Sequence, residues 1–234
     1  MHTLDDDTVN SLAEHLFSAQ ANAEPVVKIT DAWPDLTYDD AYRIQDAVKT
    51  LHEAAGSPMS GLKMGLTSYA KMKQMGVEVP IRGFLTQAMT VGDGREVDTS
   101  RLIHPKVEAE LAFMLHRDLS GPGCSAADVL SATDFVVPAL EIIDSRYENF
   151  RFDLRSVIAD NTSASHYVTG STTVSPHATD LKTLGVVMYK NGEVVQTGAG
   201  AAVLGDPVMS VATLANMLSE RGESIPANTL ILTG

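Results

Sequence analysis

The sequence predicts an α+β fold, with a helical N-terminal part over residues 1–57 and a β-rich part over 58–234. Three observations carry this. Apolar residues recur at helical spacing twice in the first fifty-odd positions, as Val9, Leu12 and Leu16 and again as Ala41, Ile44, Val48 and Leu51. Between Pro105 and Leu115 the period changes to two, with Val107, Ala109, Leu111, Phe113 and Leu115 alternating with Glu108, Glu110, Ala112 and Met114. Phe135–Ile143 is almost continuously apolar, and Asn191-Gly192 between two β-rich runs is a strong hairpin signal.

In chain order, Asp5, Asp6 and Asp7 put negative charge where a helix N-terminus attracts it, so residues 5–18 are expected to be helical. Thr37 stands three residues before Asp40 in a capping-box arrangement, and that helix runs toward Gly56. Trp33 and Tyr38 are expected to pack as staples in this helical pair. Gly61–Thr67 reads as a strand leading into a loop, with Lys63 between two glycines, and Ser68–Met75 as a short helix closed by Gly76. Met64, Met72 and Met75 are expected as core filling. Ser125 and Asp128 cap a further helix, Met209–Glu220 is a helix closed by Gly222, and Thr229–Gly234 looks like a strand. A core strand is an odd place for a chain to stop, so the last strands of the β-rich part are expected to be missing.

Composition restricts function. Thirty acidic against seventeen basic residues give a net charge of −13, which disfavours nucleic acid or an anionic membrane as partner. Cys124 is the only cysteine, so no internal disulfide is possible, which fits a reducing cytoplasm. Met1-His-Thr-Leu followed by Asp5, Asp6 and Asp7 has neither the basic nor the apolar run of a leader, so none is expected, and no stretch is expected to span a bilayer. Gly198, Gly200 and Gly205 form no phosphate loop, since no Gly-Lys-Ser/Thr follows them. Of the seven histidines, His52 and His177 are expected to face solvent and His104 and His166 to be structural.

Glu108 and Glu110, at i and i+2 of a strand, share a face where two carboxylates can converge on a hard cation; a solvated strand face is the alternative. Glu141 lies inside an apolar run, where a carboxylate is costly unless it ligates a metal or pairs with a cation such as Arg146. Lys63 is either a surface lysine or a cation held near an anionic ligand. Asp160–Ser163 is a turn or a substrate-facing polar loop.

At Gly61-Leu-Lys-Met-Gly-Leu-Thr-Ser68, His104-Pro-Lys-Val-Glu-Ala-Glu110, Leu140-Glu-Ile-Ile-Asp-Ser-Arg146 and Ala159-Asp-Asn-Thr-Ser163, the sequence resembles the hydratase and decarboxylase branch of the fumarylacetoacetase superfamily. The resemblance implies a mixed β-sandwich or β-roll core and Mg²⁺ or Mn²⁺ held by Glu108, Glu110 and Glu141. It places Lys63 and Asp160 beside the substrate and Ser163 in a polar loop. It further implies decarboxylation of a 2-oxo-3-hexenedioate in meta-cleavage catabolism of aromatic compounds, and homo-oligomers that associate with a partner hydratase. Hydration of a 2-hydroxypentadienoate is the alternative activity, and a non-catalytic oligomer subunit is the alternative role. Leu204-Gly-Asp206-Pro207 departs from the family's usual Leu-Gly-His-Pro.

Overall fold

The acidic first turn does open a helix: the Asp5 carboxylate accepts from the Thr8 N–H at 2.8 Å, leaving Val9, Ala13, Leu16 and Ala19 as the buried stripe. The computed structural model describes residues 3–234, except the side chains of Gln74 and Met75, so Met75 as core filling lies outside the described residues. In chain order it contains α1 (Asp6–Asn22), α2 (Ile29–Ala32), α3 (Tyr38–Ala54), β1 (Met59–Gly65), α4 (Tyr69–Met75), β2 (Ile81–Thr86), β3 (Thr90–Val91) and β4 (Lys106–Leu115). There follow α5 (Ala126–Ala132), β5 (Thr133–Ile143), α6 (Leu154–Ala159), β6 (Ala164–Thr169), β7 (Gly185–Lys190), β8 (Glu193–Ala199), α7 (Pro207–Ser219) and β9 (Leu230–Leu232). Seven strands hydrogen-bond in the order β2-β1-β9-β4-β5-β6-β3, and β7 and β8 make a separate two-stranded sheet.

The chain forms two compact units, each built from three segments. The first comprises Met1–Ser60, Arg82–Glu108 and Glu141–Val168. In it α3 packs on α1 and α6. Both halves of the capping box form, Thr37 Oγ1 accepting from Asp40 N and the Asp40 carboxylate accepting from Thr37 N. Trp33 and Tyr38, expected as staples, are instead 40 % and 53 % exposed. The staple positions flanking the cap are taken by Leu36 and Ala41, both buried. Gln45 in α3 donates to Arg82 O (3.0 Å) and Ile158 O (2.8 Å), so one buried amide satisfies two chain segments.

His52, expected to face solvent, stacks edge-on between Phe17 and Phe84, with centroids at 5.0 and 5.9 Å. Burial, helped by the charge of Arg146, pulls its pKa down to about 4. The folded protein therefore keeps His52 neutral where the unfolded chain, near 6.5, takes up a proton, and stability falls as pH drops through the window from 6.5 to 4. Urea unfolding at pH 7 and pH 5 is expected to show about 1–2 kcal/mol lost to this group. His52→Phe should remove that part of the pH dependence, and an unchanged dependence would refute the assignment.

The second unit comprises Gly61–Ile81, Ala109–Leu140 and Thr169–Gly234. Here β9 lies between β1 and β4, parallel to the first and antiparallel to the second, with Leu232 opposite both Lys63 and Ala112. Asn191 and Gly192 both take positive φ (54° and 84°), as a tight primed hairpin turn requires. Gly200 meets a different demand, since a Cβ there would lie 1.9 Å from Leu181 O. Contrary to the sequence expectation, Gly200–Ser219 is long and apolar enough to cross a membrane by length and composition. As folded, however, α7 has thirteen residues, eight of them buried. At about 1.5 Å per residue it falls short of a hydrocarbon core of about 30 Å. Asp206 caps this helix by accepting from Val208 N at 2.9 Å, with Pro207 in the first turn. An acidic side chain there has a structural reason of its own.

Candidate metal centre

β4 and β5 are neighbours in the sheet, and the pleat puts Glu108 and Glu110 on one face of β4. Glu141 stands on β5 with no exposed surface, while Glu110 is buried and Glu108 half-buried. One carboxylate oxygen from each lies within 4.8 Å of the other two. Three like charges at this spacing repel unless cations or protons lie among them. A donor set of carboxylate oxygens, with no thiolate and no imidazole, suits a hard divalent cation.

The carboxylates are held by structure around them. Gly234 N–H donates to Glu110 Oε2 at 2.7 Å, and the residue before it is fixed by Ser210 Oγ to Thr233 O (2.7 Å) and Thr233 Oγ1 to Leu111 O (2.9 Å). Asp144, just past Glu141, accepts from Ile103 N at 2.9 and 3.0 Å and from His104 N, just before Glu108. One carboxylate thus ties the entry of β4 to the exit of β5.

Arg146, the structural alternative as partner for Glu141, is committed elsewhere. Its guanidinium donates to Asp144 O (2.7 Å), Ala164 O (2.8 Å), Asp160 O and the Asp160 carboxylate. Burial pushes the Asp160 carboxyl up to about 6, against the pull of Arg146. The polar turn that follows is left-handed for three residues, with φ of 48°, 53° and 57° at Asn161, Thr162 and Ser163. That conformation is unfavourable for L residues, and here the neighbours impose it. Asn161 accepts from Phe84 N and donates to Phe84 O, both at 2.9 Å, while Thr162 Oγ1 donates to Arg82 O at 2.9 Å. Asp144 N donates to Ser163 O at 2.8 Å. The Ser163 hydroxyl is buried and has no hydrogen-bond partner among the described residues. Lys63 on β1 is 2 % exposed, which removes the surface-lysine reading.

The sequence assigns no role to Asp144 and offers Arg146 only Glu141 as a partner, where the structure pairs it with Asp160. The signal available was their place in Asp144-Ser-Arg146, directly after a buried glutamate. His166 shares a hydrogen bond with Ser165 (2.8 Å), consistent with its structural reading, and His177 is exposed as expected.

The mixed sheet and its cluster of three carboxylates have a family context: the chain belongs to the fumarylacetoacetate hydrolase C-terminal family, whose model matches residues 64–234. Within it, the chain is 56 % identical over 232 residues to the 4-oxalocrotonate decarboxylase of Pseudomonas sp. (strain CF600), covering 99 % of this chain and 88 % of that one. It is 41 % identical over 220 residues to the 2-hydroxypent-2,4-dienoate hydratase of Pseudomonas putida, covering 94 % and 99 %. Its fold superposes with a TM-score of 0.98 and 54 % identity on the 4-oxalocrotonate decarboxylase from Pseudomonas putida G7 complexed with magnesium and adipate, covering 100 % of this chain and 89 % of that one.

Proposed function

We propose that this chain is a magnesium-dependent decarboxylase that converts 2-oxo-3-hexenedioate into 2-hydroxypenta-2,4-dienoate. The observation that carries the reading is the three-carboxylate cluster, on a chain 56 % identical to one 4-oxalocrotonate decarboxylase and 41 % identical to a hydratase. In this substrate the C6 carboxylate is vinylogously β to the ketone. Breaking the C5–C6 bond releases CO₂ and sends the electron pair through the C3–C4 double bond toward the C2 oxygen. A bound Mg²⁺ ion supplies Lewis-acid stabilisation of the charge that builds there. Glu108, Glu110 and Glu141 are the residues that hold it, and a 2-oxo acid offers two further oxygens for its open positions.

The remaining roles belong to the chain's own groups. Lys63, buried on β1, supplies a counter-charge for the substrate's C1 carboxylate in a protein of net charge −13. The Ser163 hydroxyl offers a donor to a substrate oxygen, held by its left-handed turn. Asp160 is a positioning residue in this reading: it pairs with Arg146, whose fork fixes the turn. All of these residues fall within 58–234, the proposed catalytic domain.

Placement in the cytoplasm and assembly into homo-oligomers, including association with a partner hydratase, complete the proposal. Oligomerisation is supported by the β7–β8 ribbon, whose Val187, Tyr189, Val194 and Val195 are all exposed. A two-stranded sheet of this kind is marginal by itself.

The deciding experiment compares CO₂ release from 2-oxo-3-hexenedioate with loss of 2-hydroxypenta-2,4-dienoate absorbance. Release of CO₂ is expected, and turnover of the second compound alone would make the chain a hydratase. Lys63→Met keeps the aliphatic stem and deletes the charge. Losing a charge-assisted bond of about 1.5–3 kcal/mol should slow turnover by about one to two decades. Parent-like turnover would return Lys63 to a packing role.

A further inference from the structure

Lys106 has no place in the chemistry above, although it shares the strand face of Glu108 and Glu110. Its Nζ lies 3.4 Å from the centroid of the Phe150 ring. That ring sits in a backbone turn in which Asn149 and Phe150 both take positive φ, 57° and 58°. An aromatic face attracts an ammonium without neutralising it. The ion pairs Lys28–Asp31, Lys28–Asp153, Arg43–Asp6, Arg43–Asp40 and Arg146–Asp160 of this unit do not involve Lys106. The edge of the same ring meets His104, with centroids 6.3 Å apart, and His104 Nε2 is buried with no hydrogen-bond partner among the described residues. A cation and an unsatisfied ring nitrogen therefore converge on one phenyl group, which is an arrangement suited to a carboxylate.

Resting on the proposed decarboxylase reading, we infer that Lys106, Phe150 and His104 form the subsite for the distal carboxylate of a six-carbon dicarboxylate, and that Lys106 sets the preference for dicarboxylic over monocarboxylic 2-oxo acids. The spacing agrees: residues two apart on a strand are separated by roughly 6–7 Å. An extended six-carbon diacid measures about 6 Å between its carboxyl carbons at ordinary C–C lengths. A substrate whose 2-oxo acid end lies at Glu108 thus carries its other end to the level of Lys106. The related decarboxylase of known structure was complexed with a six-carbon diacid, adipate.

The chemistry makes the inference sharp. The distal carboxylate is the group lost as CO₂, so its charge drains away in the transition state. An ion pair to it strengthens ground-state binding and does not lower the barrier. Lys106 is therefore a specificity residue, and its removal should act on KM and not depress kcat.

The test uses two unreactive analogues with the same 2-oxo acid head and the same chain length, 2-oxoadipate and 2-oxohexanoate, titrated calorimetrically into the Mg²⁺-loaded protein. The parent should bind 2-oxoadipate at least about tenfold more tightly, as a charge-assisted contact warrants. Lys106→Met should lose that preference while keeping its affinity for 2-oxohexanoate, and with 2-oxo-3-hexenedioate it should raise KM by about tenfold with kcat unchanged or higher. A variant that keeps the dicarboxylate preference, or loses kcat at constant KM, overturns the subsite. Failure of the Mg²⁺-loaded parent to bind either analogue would instead sink the decarboxylase reading, and the subsite with it.

Discussion

Glu141→Gln is expected to weaken Mg²⁺ binding by roughly one to three orders of magnitude, because one of the three carboxylates that would hold the ion is replaced by a neutral amide. The substitution keeps the size of a side chain with no exposed surface, so the fold should survive. Without metal, the variant should melt no lower than the parent and can melt higher. Removing one of three charges whose oxygens lie within 4.8 Å of one another relieves their repulsion. Calorimetric titration with Mg²⁺, paired with thermal melts in EDTA, separates the two effects. Unchanged affinity would leave Glu141 a structural residue and remove the basis for the metal centre.

Arg146→Met should give the largest loss of stability, about 3–5 kcal/mol, because it strands the buried Asp160 carboxylate without its partner. It also removes the donors that satisfy Asp144 O, Ala164 O and Asp160 O. Adding Asp160→Asn should recover a substantial share, since the uncompensated charge is then gone while the missing donors are not. Urea unfolding of the parent, the two single variants and the double variant measures this coupling. A single-variant cost below about 1 kcal/mol would place the pair among ordinary surface-like ion pairs and refute its part in holding the Ser163 turn.

Much of this molecule was legible in short windows of sequence. The capping boxes at Thr37 and Ser125 both form, and the Asn191-Gly192 hairpin pairs as expected. The strand carrying Glu108 and Glu110 runs over Lys106–Leu115, within the alternating stretch. These features depend on hydrogen bonds or side-chain periods within a few residues. The almost continuously apolar run Phe135–Ile143 is a strand, but it is not buried throughout, since Pro138 and Leu140 on it are exposed. An apolar run reports what can be buried, and the neighbours available on each face decide what is.

The candidate site divides along the same line. Two of its carboxylates stand two apart on one strand, so pleat geometry alone brought them together. The third comes from β5 and joins them because β4 and β5 are sheet neighbours. Strand order, not local sequence, sets that proximity. Arg146 shows the limit most clearly, since two carboxylates, Glu141 and Asp160, were open to it and the chain folds it onto Asp160. His52 likewise became half-buried only because α1 and β2 supplied Phe17 and Phe84 on either side of it. Local bonding rules act between residues a few positions apart and can be read from the chain directly. Which buried charge meets which partner depends on long-range packing, where desolvation makes each pairing costly to get wrong and no sequence period records the choice.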